Sequence, residues 1–216
     1  AALETLRGAV RIPHLPETVL PLVHPPGVDD ETLESLLRAL APAPGDRETL
    51  AALERLLKTG ADTAAEVPAA VLVVEHSTHC GDFARAEEVL RSLCAKYPQE
   101  PRAWDARARF LLATGGDRAQ ALDYARKATT RLDGAPAAVR ADCLETLAQV
   151  QKDLGLGHLA LASLQRSVQA YPGVDNRLRL ATMLIERGEG SLAQAHLHAA
   201  RRAAIRDARP EALAEI

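Results

Sequence analysis

The sequence predicts an all-α fold, a solenoid of antiparallel helix–turn–helix repeats, on three observations. At four places a glycine is followed five residues later by an alanine, and successive glycines lie 35, 39 and 33 residues apart, which is typical of helical repeats. Hydrophobic residues make up 47% of the chain and aromatic residues only 3%, so the helix-favouring residues alanine and leucine supply most of its apolar surface. Every apolar pattern has the helical period, and none alternates as a strand does. The glycine–alanine pairs are Gly81/Ala86, Gly116/Ala121, Gly155/Ala160 and Gly188/Ala193.

The composition excludes several classes of protein. A chain of 216 residues suffices for one extended repeat array or for one to two compact domains. Its net charge of −3 argues against a generic nucleic-acid binder, which would carry a basic excess. Since we find no membrane-spanning run and no signal peptide, we expect no membrane insertion and a cytoplasmic protein. The chain begins with Ala1 instead of methionine, so a processed or truncated form is also expected.

Residues 1–66 are predicted to form a helical N-terminal region. Turn residues divide it into short helical segments, the last of which ends before Gly60. In that segment Ala52 and Leu56 lie 34 residues before the corresponding alanine and leucine of the next unit. Two interpretations remain open for residues 33–66: a degenerate repeat, or helices outside the repeat pattern.

The clearest repeat unit covers residues 67–100. Pro68 suits the first turn of its first helix, and Gly81 ends that helix. Asp82 is placed to cap the second helix, predicted over residues 83–96. The small alanine in the middle of each second helix allows two helices to approach closely, where a larger side chain would clash.

Three further units follow. The second begins at Pro101 and contains one extra turn residue, because it has two consecutive glycines, Gly115 and Gly116. The third and fourth turn at Gly155 and Gly188. Residues 208–216 are predicted to begin a further or capping helix.

These features resemble the tetratricopeptide repeat, a helix–turn–helix unit of about 34 residues. The resemblance covers residues 67–207, about four units. The matching residues are the early tryptophan Trp104, the turn Gly81-Asp82-Phe83, the mid-helix alanines, and the closing prolines Pro98 and Pro172. The resemblance implies a right-handed superhelix whose first helices line a concave groove for a peptide or partner helix.

Counted back from each turn glycine, the same positions of each first helix are expected to face that groove. They are Val71, Glu75, Thr78 and His79; Arg102, Asp105, Arg109 and Leu112; Asp142, Glu145, Gln149 and Lys152; and Asp175, Leu178, Thr182, Ile185 and Glu186. This face is neutral to acidic with one basic pair, Arg102 and Arg109. The two arginines lie about two helical turns apart on one face and could bind a carboxylate of a partner. Arg126 and Lys127 are expected on the outer face. The alternative is that the concave face is merely solvated.

Three other groups of polar residues have both a chemical and an ordinary structural interpretation. His76, His79 and Cys80 have a spacing that can hold a metal ion, but no second motif accompanies them. Three acidic residues on one predicted helix, Asp142, Glu145 and Asp153, could be catalytic carboxylates, although a solvated helix face is the favoured interpretation. The three cysteines are expected to be reduced thiols. We find no nucleophile elbow, phosphate loop or zinc-protease motif.

The sequence therefore predicts a non-catalytic scaffold or adaptor that binds a protein or peptide partner. We expect no cofactor, no bound metal and no nucleic-acid partner, and membership of a larger complex is compatible with the pattern. One alternative is a regulatory or substrate-positioning region of a larger enzyme. A second is a metal-binding domain that uses His76, His79 and Cys80.

Overall fold

The computed structural model describes residues 63–206, which form eight α-helices and contain no strand. The helices are α1 Thr63–His79, α2 Phe83–Lys96, α3 Pro101–Ala113, α4 Arg118–Thr129, α5 Ala137–Asp153, α6 Gly157–Ala170, α7 Val174–Glu186 and α8 Gly190–Arg206. This confirms the predicted all-α helical-repeat fold for the described residues. Residues 1–62 and 207–216 lie outside the described part, and with them most of the predicted N-terminal helical region and the further helix predicted over residues 208–216. The chain divides into two compact units after Pro98, and each is described by itself.

The described part of the first unit is the pair α1 and α2. Gly81 adopts a positive φ of 76°, and Asp82 caps α2 by accepting a hydrogen bond from the backbone N–H of Arg85 at 3.1 Å. Ala86 of α2 is fully buried, and α1 packs against α2. Helix α1 begins a turn earlier than expected, so Pro68 lies inside it and not in its first turn. Phe83, the first residue of α2, is 48% exposed.

The second unit contains three consecutive helix pairs, α3 with α4, α5 with α6, and α7 with α8. Helix α4 packs on α5, α6 packs on α7, and the first helices α3 and α5 also contact each other. Ala121 and Ala160 are fully inaccessible, and Ala193 is nearly so. The mid-helix alanines therefore occupy the close contacts predicted for them.

The turn between α3 and α4 uses Gly115, not Gly116, as its left-handed residue. The φ of Gly115 is 68°, and the backbone N–H of Gly116 donates to the carbonyl of Leu111 at 2.8 Å, which closes the helix end. Gly116 follows as the extra residue of this unit. A Cβ atom there would lie only 2.8 Å from Cδ2 of Leu111. Among the described helices, none is long and apolar enough to cross a bilayer.

Candidate functional site

A pocket of about 440 Å³ lies between the first helices α5 and α7 of the second unit. Its floor is apolar and its rim is polar and charged. The lining residues are Glu145, Ala148, Gln149, Lys152, Leu164, Asp175, Leu178, Arg179, Thr182 and Met183. Both helices are first helices of their repeats, so the pocket lies on the face where the sequence placed a groove.

The pocket brings together many of the predicted groove residues from two consecutive repeats. Glu145, Gln149 and Lys152 of α5 face Asp175, Leu178 and Thr182 of α7 across it. Asp142 is exposed about one turn before Glu145, and Ile185 and Glu186 are exposed near the end of α7.

Two ion pairs join α5 to α7 across this face. Nε of Arg179 contacts Oε1 of Glu145, and Nζ of Lys152 lies 2.8 Å from Oε1 of Glu186. The partners of the second pair are 34 residues apart, one repeat length. The pairs therefore connect similar positions of neighbouring repeats.

Glu145 is the most perturbed carboxylate at the pocket. Its side chain is 17% exposed, and burial raises its pKa to about 7. Arg179 opposes this shift, whereas Asp142, Asp175 and Asp105 add to it by charge repulsion. Glu145 is therefore divided between its neutral and charged forms near neutral pH.

Both arginines of the basic pair predicted on α3 are already engaged with nearby carboxylates. Nε of Arg102 donates to Oε1 of Glu100 at 2.9 Å, and Nε of Arg109 lies 2.9 Å from Oδ2 of Asp105. The side chain of Asp105 is only 4% exposed. Leu112 packs partly buried against the core that contains Ala108 and Ala121. Each of the two arginines therefore already forms an ion pair with a nearby carboxylate.

In the first unit, the predicted groove positions of α1 differ in environment. Val71 is 6% exposed and belongs to the core, so it is not available to a ligand. Thr78 donates its hydroxyl to the carbonyl of Val74 at 2.6 Å. Glu75 is half-buried and His79 is exposed.

The proposed metal ligands of α1 are not gathered into a site. His76 is buried, whereas His79 and Cys80 are exposed. Among residues 63–206, no three histidine, cysteine, aspartate or glutamate side chains come close enough together to hold a metal ion.

Two parts of the pocket were not predicted from the sequence, Arg179 and the apolar floor. Arg179 lies one turn after Asp175 on the same helix, and this spacing was the available signal. Leu164 of the floor comes from the second helix α6, whereas all the predicted groove residues come from first helices.

An aromatic pair lies elsewhere in the second unit. The rings of Trp104 and Tyr124 stack with their centroids 5.8 Å apart, and Nζ of Lys127 lies 4.8 Å from the Trp104 centroid. Lys127 is exposed on α4 and makes a cation–π contact with the Trp104 ring.

Comparison with known proteins finds one matching family model. The tetratricopeptide repeat family model matches residues 69–110, which include most of α1, all of α2 and most of α3. The matched segment is a tetratricopeptide repeat, and the described residues have the corresponding all-α helical-repeat fold. Repeats of this kind are in general non-catalytic scaffolds that bind other proteins.

Solved structures of tetratricopeptide and related proteins share the fold. TTC0263, a thermophilic TPR protein of Thermus thermophilus, is 22% identical with a TM-score of 0.61, covering 86% of this chain and 96% of its own. A crystal structure of MamA is 15% identical with a TM-score of 0.54, covering 75% of this chain and 90% of its own. MamA from Desulfovibrio magneticus RS-1 is 16% identical with a TM-score of 0.53, covering 82% and 97%. None of the curated proteins matches this repeat chain significantly.

Proposed function

We propose that this tetratricopeptide repeat chain is a non-catalytic scaffold that binds a peptide segment or helix of a partner protein on the face formed by its first helices. The observation that carries the proposal is the pocket between α5 and α7. It combines an apolar floor with a rim of charged side chains, a combination common in binding sites.

The residues proposed to contact the partner are the predicted groove residues that line the α5–α7 pocket or lie beside it on α5. They are Asp142, Glu145, Gln149, Lys152, Asp175, Leu178 and Thr182, together with Arg179, which the sequence analysis had not included. Arg102 and Arg109 are proposed only as flanking contacts, because Glu100 and Asp105 already neutralise them.

A bulky substitution at the pocket tests the proposal. Gln149 lines the pocket on the surface of α5, so Gln149→Trp should fill it without disturbing the buried core. Gln165→Trp on exposed α6 makes the same change away from the pocket and is the matched control. Partners captured by the full chain are identified by mass spectrometry, purified and titrated against both variants. We expect Gln149→Trp to weaken binding about tenfold or more, and the control to bind like wild type. Normal binding by Gln149→Trp, with loss in the control, would place the interface elsewhere.

A further inference from the structure

Three cationic side chains surround the aromatic pair of α3 and α4. Cζ of Arg107 lies 4.9 Å from the centroid of the Tyr124 ring, and Nζ of Lys127 lies 5.3 Å from the same centroid. Cζ of Arg131 lies 5.8 Å from the centroid of the Trp104 ring, on which Lys127 also lies. These five residues form the α3–α4 cationic cluster, and none of them lines the α5–α7 pocket.

Two of these cations, Arg107 and Lys127, contact aromatic rings but no carboxylate of the described residues. Within residues 63–206, neither side chain forms an ion pair or a hydrogen bond. By contrast, three other arginines of the same two helices, Arg102, Arg109 and Arg118, each pair with a carboxylate. The cluster therefore contains positive charge that no described carboxylate balances.

The rings position these cations without neutralising them. A ring face attracts a cation through its quadrupole but carries no net charge, so the positive charge remains. A guanidinium that lies over a ring still has N–H donors at its edge, and these suit the two oxygens of a carboxylate. Lys127 is exposed and Arg107 is half-buried, so both can be reached from solvent. Arg131 is less available, because its Nη1 donates to the carbonyl of Lys127 at 2.7 Å.

We infer that the α3–α4 cationic cluster binds an acidic segment of a partner protein. One carboxylate of the segment would bind Arg107 and a neighbouring carboxylate would bind Lys127, since both cations lie beside the same ring. Their binding would also offset the repulsion between the two like charges. A nucleic acid fits less well, because it depends on many phosphate contacts and the net charge of the chain is −3. This contact is additional to the one proposed at the α5–α7 pocket.

The test uses the full chain and its single tryptophan, Trp104. Nζ of Lys127 lies 4.8 Å from the centroid of that ring, so a carboxylate that binds Lys127 should shift the tryptophan emission. Three short peptides without aromatic residues share the same serines and carry glutamate, glutamine or lysine at the intervening positions. We expect a saturable shift with the glutamate peptide, and no shift with the other two at the same concentrations.

Variants locate the binding, and fluorescence anisotropy of a labelled glutamate peptide measures their affinity. Arg107→Gln combined with Lys127→Gln should weaken binding about tenfold or more, because both carboxylate partners are removed. Arg166→Gln combined with Arg201→Gln is the matched control. It removes the same charge from exposed positions of α6 and α8, so it should bind like wild type.

Three results would overturn the inference. The first is a glutamine peptide that binds as tightly as the glutamate peptide, and the second is unchanged binding by the double variant at Arg107 and Lys127. The third is tighter binding of a single-stranded oligonucleotide than of the glutamate peptide, which would assign the cluster to nucleic acid. The proposed function has its own test in Gln149→Trp, so each proposal can fail while the other holds.

Discussion

At the scale of single residues, the buried alanines carry the close helix contacts. Ala160 of α6 is completely inaccessible and lies in the core with Leu180 and Leu184 of α7. Ala160→Leu should lower the free energy of unfolding by about 1–3 kcal/mol, because the extra methyl groups have no space. Chemical denaturation followed by far-UV circular dichroism measures the change.

Ala162→Leu supplies the matched control, because Ala162 is exposed on the same helix. Its stability should stay within about 0.5 kcal/mol of wild type. Equal losses in the two variants would show that Ala160 does not lie at a close helix contact.

Glu145 should make stability depend on pH in a defined direction. Its pKa in the folded chain is about 7, above the ordinary value of 4.5, so the folded state binds the extra proton between these values. Stability from this group is present at low pH and is lost as the pH rises towards 7. Glu145→Gln removes that loss, so the variant should gain about 1–3 kcal/mol relative to wild type between about pH 5 and about pH 8.

Denaturant titrations of both proteins across that range give the difference directly. Taking the difference cancels the contributions of the other carboxylates. A difference that does not change with pH would mean that Glu145 titrates at its ordinary value in the folded chain.

At the scale of elements, the two adjacent glycines of the α3–α4 turn differ in backbone conformation. Gly115 has a positive φ, which costs an alanine about 1–2 kcal/mol, so Gly115→Ala should lower stability by that amount. Gly116→Ala should cost less, because its new Cβ comes too close only to Cδ2 of Leu111, the end of a flexible side chain that can move. Thermal melts of the two variants rank them. The reverse order would assign the turn to Gly116, as the sequence pattern first suggested.

At the scale of the whole molecule, far-UV circular dichroism should show a helical spectrum without a substantial sheet contribution. The eight described helices and the purely helical periodicity of the sequence both support this expectation. A strong sheet signal would contradict the architecture.

The sequence was sufficient to predict the repeat fold, because its strongest signals are local. Asp82 and Gly81 fix a helix end and a turn within a few residues, and their roles were predicted correctly. The pocket depends instead on contacts between residues far apart in the chain. The pairing of Arg179 with Glu145 and the contribution of Leu164 to the floor require the packing of α5, α6 and α7, which no local pattern specifies. The engagement of Arg109 by Asp105 was readable as a spacing of four on one helix, but the sequence could not show that Asp105 is buried.

The ion pairs of Asp105 and Glu145 make each repeat specific for its neighbour. Asp105 and Glu145 occupy the same position of successive repeats, yet Asp105 pairs with Arg109 of its own helix, whereas Glu145 pairs with Arg179 of the following repeat. The difference arises because the residue one turn after Glu145 is the uncharged Gln149. Removing or duplicating one repeat could preserve the apolar contacts but would mismatch these charges. The repeats are therefore not interchangeable, because the ion pairs between their side chains depend on the order of the repeats along the chain.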